Sequence, residues 1–267
     1  MRDLLLADRS QDSAARGHAA ALQVRRLTKD FDAKRVLHGV DLDVEMNAAV
    51  SLIGANGSGK STLLRCLVRL IEPTSGSINL YGSDVLALRG RALARLRSRV
   101  GFVFQRHNLV PRLSALSNVV HGVQARSSGP RTWLQTFAAQ DVREEAFSCL
   151  QSVGLGQQAL QRVDSLSGGQ SQRVAIARML MQRPDIVLAD EPDASLDPRT
   201  GREVMELLNE LTRSRGIPIV IVSHRMEHAR LYSDRIVGLQ GGRIVLDTPA
   251  RDADPEALAS FFEDIHH

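Results

Sequence analysis

Apolar residues fall along this chain in two kinds of pattern. Compact runs at Val50-Ser51-Leu52-Ile53, Val100-Gly101-Phe102-Val103-Phe104, Ile186-Val187-Leu188-Ala189 and Pro218 to Ser223 fit short strands buried on both faces. Alternation at Val40, Leu42, Val44 and Met46 instead predicts a strand with one wet face. Helical spacing takes over elsewhere. Leu63, Leu64, Leu67 and Leu70 share one face of a helix over Ser61 to Leu70, and Leu93 with Leu96 forms a stripe on a second helix. Residues 85–165 read as mostly helical, with breaks at Gly129-Pro130 and at Gly154 to Gly156, and Ala253 to Asp264 as a terminal helix. Strands interleaved with helices make this an α/β chain. Residues 1–20 are polar and expected to be a mobile tail.

Composition narrows the class only a little. The chain has 267 residues and is 43% hydrophobic, enough to bury a full core in one domain with an insertion, or in two lobes. No apolar run approaches 18 residues, and Leu4-Leu5-Leu6 is flanked by Asp3 and Asp8, so no span or signal peptide is expected. Cys66 and Cys149 form no C-x-x-C pair, which fits reduced thiols in a cytosolic protein. Lys and Arg number 34 against 30 Asp and Glu. The excess gathers locally at Arg89, Arg91, Arg95, Arg97 and Arg99, without interleaved aromatics, so it reads as the wet face of an amphipathic helix and not as a nucleic-acid surface.

Chemistry begins at Gly54-Ala55-Asn56-Gly57-Ser58-Gly59-Lys60-Ser61-Thr62, a glycine-rich turn between a predicted strand and a predicted helix. Its glycines permit backbone angles that aim successive N–H groups at phosphate oxygens, and the helix dipole favours the same anion. Lys60 supplies charge to β- and γ-phosphates, and the Ser61 hydroxyl suits Mg²⁺.

Downstream, the run at Ile186–Ala189 ends in Asp190-Glu191 followed by Pro192. Ligands of parallel sheets lie at such strand ends, so Asp190 is placed to hold Mg²⁺ through water and Glu191 to polarise an attacking water. Two acids in an ordinary surface turn are the plainer alternative. His224 follows another buried run and could hold Glu191 or reach a γ-phosphate; a histidine with no chemistry fits the spacing too. His224 and His228 stand four apart, but no third ligand or Glu-x-x-His frame supports a metal pair.

Leu166-Ser167-Gly168-Gly169-Gln170 is a glycine-rich helix start with a good N-cap serine. Taken in order, Gly54–Thr62, Gln105, Leu166–Arg173, Ile186–Glu191, Ser195-Leu196-Asp197 and His224 resemble the ABC-type ATPases, over about Leu22 to Thr248. That resemblance implies a P-loop NTPase fold with a RecA-like core, an antiparallel β subdomain and a helical subdomain near residues 106–165. The ATPase domain would span 21–250 and a C-terminal helix 251–267.

The resemblance further implies a head-to-tail pair of identical chains holding two ATP and Mg²⁺ at the seam. Ser167, Gly168, Gly169 and Gln170 would cover the partner's nucleotide, and Asp197 would communicate between sites. Gln105 would join the Mg²⁺ and water site, and Phe31 would stack on adenine, although a core phenylalanine fits the same position. Met46-Asn47-Ala48 stands where the family has Gly-Glu, with Asn47 able to take a left-handed turn. Asp193 is an unusual acid in its loop.

Phe104–Ser114, Asn118-Val119-Val120 and Arg131-Thr132-Trp133-Leu134 look like the ATP-binding subunit of bacterial phosphonate importers. This implies phosphonate or phosphite uptake, a peripheral place on the cytoplasmic face of the inner membrane, transmembrane permease partners and, indirectly, a solute-binding protein. Other ABC transporters (amino acid, metal, lipoprotein release) share the same core. A soluble ABC ATPase usually shows paired cradles or a long coiled coil, and a P-loop kinase has no use for Leu166–Gln170.

Overall fold

The computed structural model describes residues 20–32, 34–105, 107–126 and 138–263. The expected break at Gly129-Pro130, the Trp133 segment and the tail before Ala20 lie outside the described residues; Ala20 itself opens the first strand. Two sheets organise the chain. Strands β1 (Ala20–Phe31) and β2 (Lys34–Glu45) pair antiparallel, and β4 (Ser75–Leu80) and β5 (Ser83–Asp84) extend them in the order β2-β1-β4-β5. Val40, Leu42 and Val44 are buried as their spacing required. Met46 is not a fourth member of that strand face: β2 stops at Glu45, and Asn47 turns the chain at φ 64°.

The second sheet runs β10-β9-β3-β8-β7-β6. Here β3 (Ala49–Ile53), β6 (Val100–Val103), β7 (Ile186–Asp190), β8 (Ile219–Val222) and β9 (Arg235–Gln240) are parallel, with β10 (Arg243–Pro249) antiparallel at the edge. Every residue of β3, β7 and β8 is buried, which is why their sequences do not alternate. Successive side chains still point to opposite faces. Leu52, Leu188, Val220 and Val222 face the antiparallel sheet, whereas Val187, Ala189, Ile219 and Ile221 face a layer of helices.

That layer contains α3 (Ala115–Val120), α4 (Gln140–Ser152), α5 (Gly168–Met181) and α6 (Pro198–Arg213), joined through Leu116, Val119, Leu150, Ile176 and Leu208. Gly154 ends α4 with φ 76°, at the expected break. After α7 (Met226–Tyr232), the terminal helix α8 is Pro255–Glu263, so Ala253 precedes it and proline opens its first turn.

One helix is shorter than its leucine spacing indicates. The helix α1 runs from Lys60 to Leu67, not to Leu70, and Leu70 is 51% exposed. Arg69 turns at φ 52°, and the Arg97 guanidinium of α2 (Gly90–Ser98) bonds the carbonyls of Val68 at 2.9 Å and Arg69 at 2.5 Å. Arg99 pairs with Asp185. Part of the basic cluster is therefore structural, capping a helix end and tying strands. Among the described residues, no helix is long and apolar enough to cross a membrane.

Candidate nucleotide site

The registers set the geometry. Asp190, last residue of β7, lies level with Val222 of β8, which is level with Leu52 of β3. The cradle begins just beyond β3 and His224 just beyond β8, so both stand with Asp190 and Glu191 at one carboxyl edge of the sheet.

Close packing explains the cradle. A Cβ on Gly54 would come within 2.1 Å of the Leu239 carbonyl oxygen, and its φ of 144° is strained for any side chain. Gly59, at φ 107°, caps the start of α1 and lies against Leu37 and Val36. Asn56 and Gly57 are exposed at the tip, Ala55, Ser61 and Thr62 are half-buried, and the buried Ser58 hydroxyl has no partner. Lys60 is only 4% exposed, and its Nζ donates to the carbonyls of Gly54 at 2.8 Å and Ala55 at 2.9 Å. Burial pulls its pKa down, opposed by the charges of Glu191 and Asp190.

Ser61 Oγ donates to Asp190 Oδ1 at 2.8 Å, and Arg65 Nη2 lies 3.7 Å from Asp190 Oδ2. Burial raises the Asp190 pKa, against the Ser61 hydrogen bond and the Arg65 charge. With Phe104, Gln105 and Asn108, Arg65 and Asp190 line a cavity of about 310 Å³. Glu191 takes a left-handed backbone at φ 52°, a costly conformation for this residue type, and its Oε1 contacts His224 Nε2 directly. The structure therefore brings together Lys60, Ser61, Asp190, Glu191, His224 and Gln105. It does not pair His224 with His228, whose Nδ1 faces Asp193, and the described residues contain no metal-ligating cluster of His, Cys, Asp and Glu.

Ser167 to Gln170 open a different element, α5. The Ser167 hydroxyl accepts from the Gln170 amide at 3.2 Å, while Gln170 Oε1 accepts from the Ser167 amide at 3.0 Å, a reciprocal cap on α5. Gln170 is thus committed to its own helix. Ser167 and Gly168 are exposed, and Gly169 packs so closely on Thr200 that a Cβ there would lie 2.3 Å from its methyl. Asp197 caps α6 by accepting from the amides of Arg199 and Thr200, both at 3.1 Å. The Thr200 side chain first, and then these amide bonds, lower its pKa. Phe31 is 42% exposed at the end of β1 with Lys29 Nζ 4.6 Å from its ring centroid, so the core alternative for this residue is removed.

Arg65 and Asn108 escaped the motif reading. Arg65 was findable: it sits one helical turn after Ser61 on the same face of α1. Asn108 lies in an irregular segment with no periodicity to place it.

The profile of the ABC transporter family matches residues 37–194. The chain belongs to this family. The phosphonates import ATP-binding protein of Bordetella parapertussis is 46% identical, with 91% of this chain and 97% of that relative aligned. Its namesake in Nitratidesulfovibrio vulgaris is also 46% identical, over 85% and 86%. Among solved structures, a dimeric ATP-binding cassette in a post-hydrolysis state bound to ADP and Pi is 33% identical. It aligns over 87% of this ABC ATPase and 100% of its own chain with a TM-score of 0.75. As an ABC ATPase, the chain binds and hydrolyses ATP.

Proposed function

We propose that this ABC ATPase powers phosphonate or phosphite import, working as a head-to-tail pair on the cytoplasmic face of the inner membrane. Each chain carries a cradle with its water-activating pair and, apart from it, an exposed capped helix start. That division supports the pairing: Ser167 and Gly168 are exposed, where a second copy can present its nucleotide. The span 21–250 serves as the ATPase domain, residues about 106–165 as its helical part, and 251–267 as a C-terminal appendage. Phe31, exposed and beside Lys29, serves as the adenine platform.

In the cradle, amides of residues 54–62 and Lys60 hold the β- and γ-phosphates, with Lys60 leaving its two carbonyls to do so. The donors around Asp190 are a carboxylate, a hydroxyl and the nearby Gln105 amide, a hard oxygen set that fits Mg²⁺. Bound there, Mg²⁺ supplies charge neutralisation for the phosphates. Glu191 takes the proton of the attacking water, and His224 fixes its carboxylate. Loss of the γ-phosphate removes the anion that Ser167 and its amides hold across the seam, so the pair can separate. Transmembrane permeases turn that motion into transport, and a solute-binding protein selects the cargo.

The names of the relatives support the cargo, since none of the residues above meets solute. Deleting the gene in its host should abolish uptake of labelled 2-aminoethylphosphonate, with restoration by the wild-type copy and not by Glu191→Gln. Undiminished uptake in the deletion strain would rule out this cargo.

A further inference from the structure

Asp193 and His228 are a buried polar pair that the nucleotide chemistry leaves unused. Their side chains are 5% and 1% exposed, and Asp193 Oδ2 lies 2.9 Å from His228 Nδ1 and 3.4 Å from Arg225 Nε. Neither contact is aligned as a directed hydrogen bond. Burying a carboxylate is costly without polar or cationic partners, and here Arg225 and His228 stand beside it. Its position is more telling than its energy. Asp193 lies in the loop that starts at Glu191 and ends at the helix-capping Asp197; Arg225 directly follows His224, and His228 lies one turn into α7. Underneath, α6 packs against both partners at Gly201: a Cβ there would stand in ordinary contact, 3.4 Å from Asp193 Cβ and 3.5 Å from Arg225 Nη1. On the far side, His228 meets the Tyr232 ring edge-on, with centroids 5.5 Å apart.

We infer that Asp193, His228 and Arg225 form a clasp that fastens the Glu191–Asp197 loop to the segment carrying His224, with Asp193 a positioning residue for hydrolysis. The Glu191–His224 contact joins the same two segments at the carboxyl edge of the sheet. With the clasp closed, both reacting side chains and the helix-capping Asp197 move as one body. The inference rests on the roles given above to Glu191 and His224.

Asp193→Asn, which keeps shape but removes the charge, should lower kcat about 10-fold or more while leaving the Kd for a fluorescent ATP analogue within about 2-fold, since misplacement acts on the reacting geometry and not on the cradle. The double replacement Asp193→Val with His228→Leu refills the space with apolar groups and should restore the melting temperature without restoring kcat. Wild-type kcat in Asp193→Asn, or recovery of kcat in the apolar pair, would overturn the clasp, the second by reducing it to packing. Glu191→Gln run in parallel separates the two levels. If that variant keeps turnover, the site reading fails; if it is inactive while Asp193→Asn is not, only the clasp fails.

Discussion

Glu191→Gln is expected to bind ATP with nearly unchanged affinity and to hydrolyse it about 10²–10⁴-fold more slowly. The amide preserves the shape of the side chain and can keep its contact with His224, but it cannot take a proton from water. Nothing in the cradle changes: Lys60, Ser61 and Asp190 keep their places. Binding and cleavage are therefore separated, and the chain should accumulate as an ATP-bound pair held across the Ser167 helix starts. Steady-state turnover together with light scattering in ATP reads both quantities. A rate near wild type removes Glu191 from the reaction, and an ATP-saturated monomer removes the link between the γ-phosphate and pairing.

Lys60→Ala should fail earlier, at the phosphate itself. The ammonium is buried and held by the carbonyls of Gly54 and Ala55, which pre-position it at the cradle. Removing it takes away a fixed charge that strengthens as the transferred group develops its own, a loss on the order of 10²-fold or more in turnover. Unlike Glu191→Gln, this variant should lose ATP affinity and pairing together. Titration with a fluorescent nucleotide, followed by turnover on the same preparation, distinguishes the two failures. Normal hydrolysis by Lys60→Ala contradicts the cradle assignment.

Much of this architecture is legible in the chain because it depends on local chemistry. The runs at Val50, Ile186 and Pro218 announce doubly buried strands, since both faces of β3, β7 and β8 are covered. Likewise, Gly54 is required by close approach of the Leu239 carbonyl, and Gly59 by a φ of 107° that strains any side chain. What escaped is tertiary. Leucine spacing carried α1 to Leu70, but Arg97 reaches over to take the carbonyls of Val68 and Arg69, ending the helix early. The role of Asp193 is invisible from its own loop because its partners lie on another element. The sequence shows only the four-residue spacing of His228 from His224, whereas its burial against Asp193 is tertiary.

In the proposed pair each ATP is completed by two chains. Mixing Lys60→Ala with Ser167→Arg protein tests it most directly. Each variant alone spoils both of its sites, whereas a mixed pair keeps one cradle with Lys60 opposite one intact Ser167. Equal amounts should regain about a quarter of the wild-type single-turnover yield, half the pairs being mixed and half the sites in each being whole. No recovery at any ratio would contradict sites shared between chains.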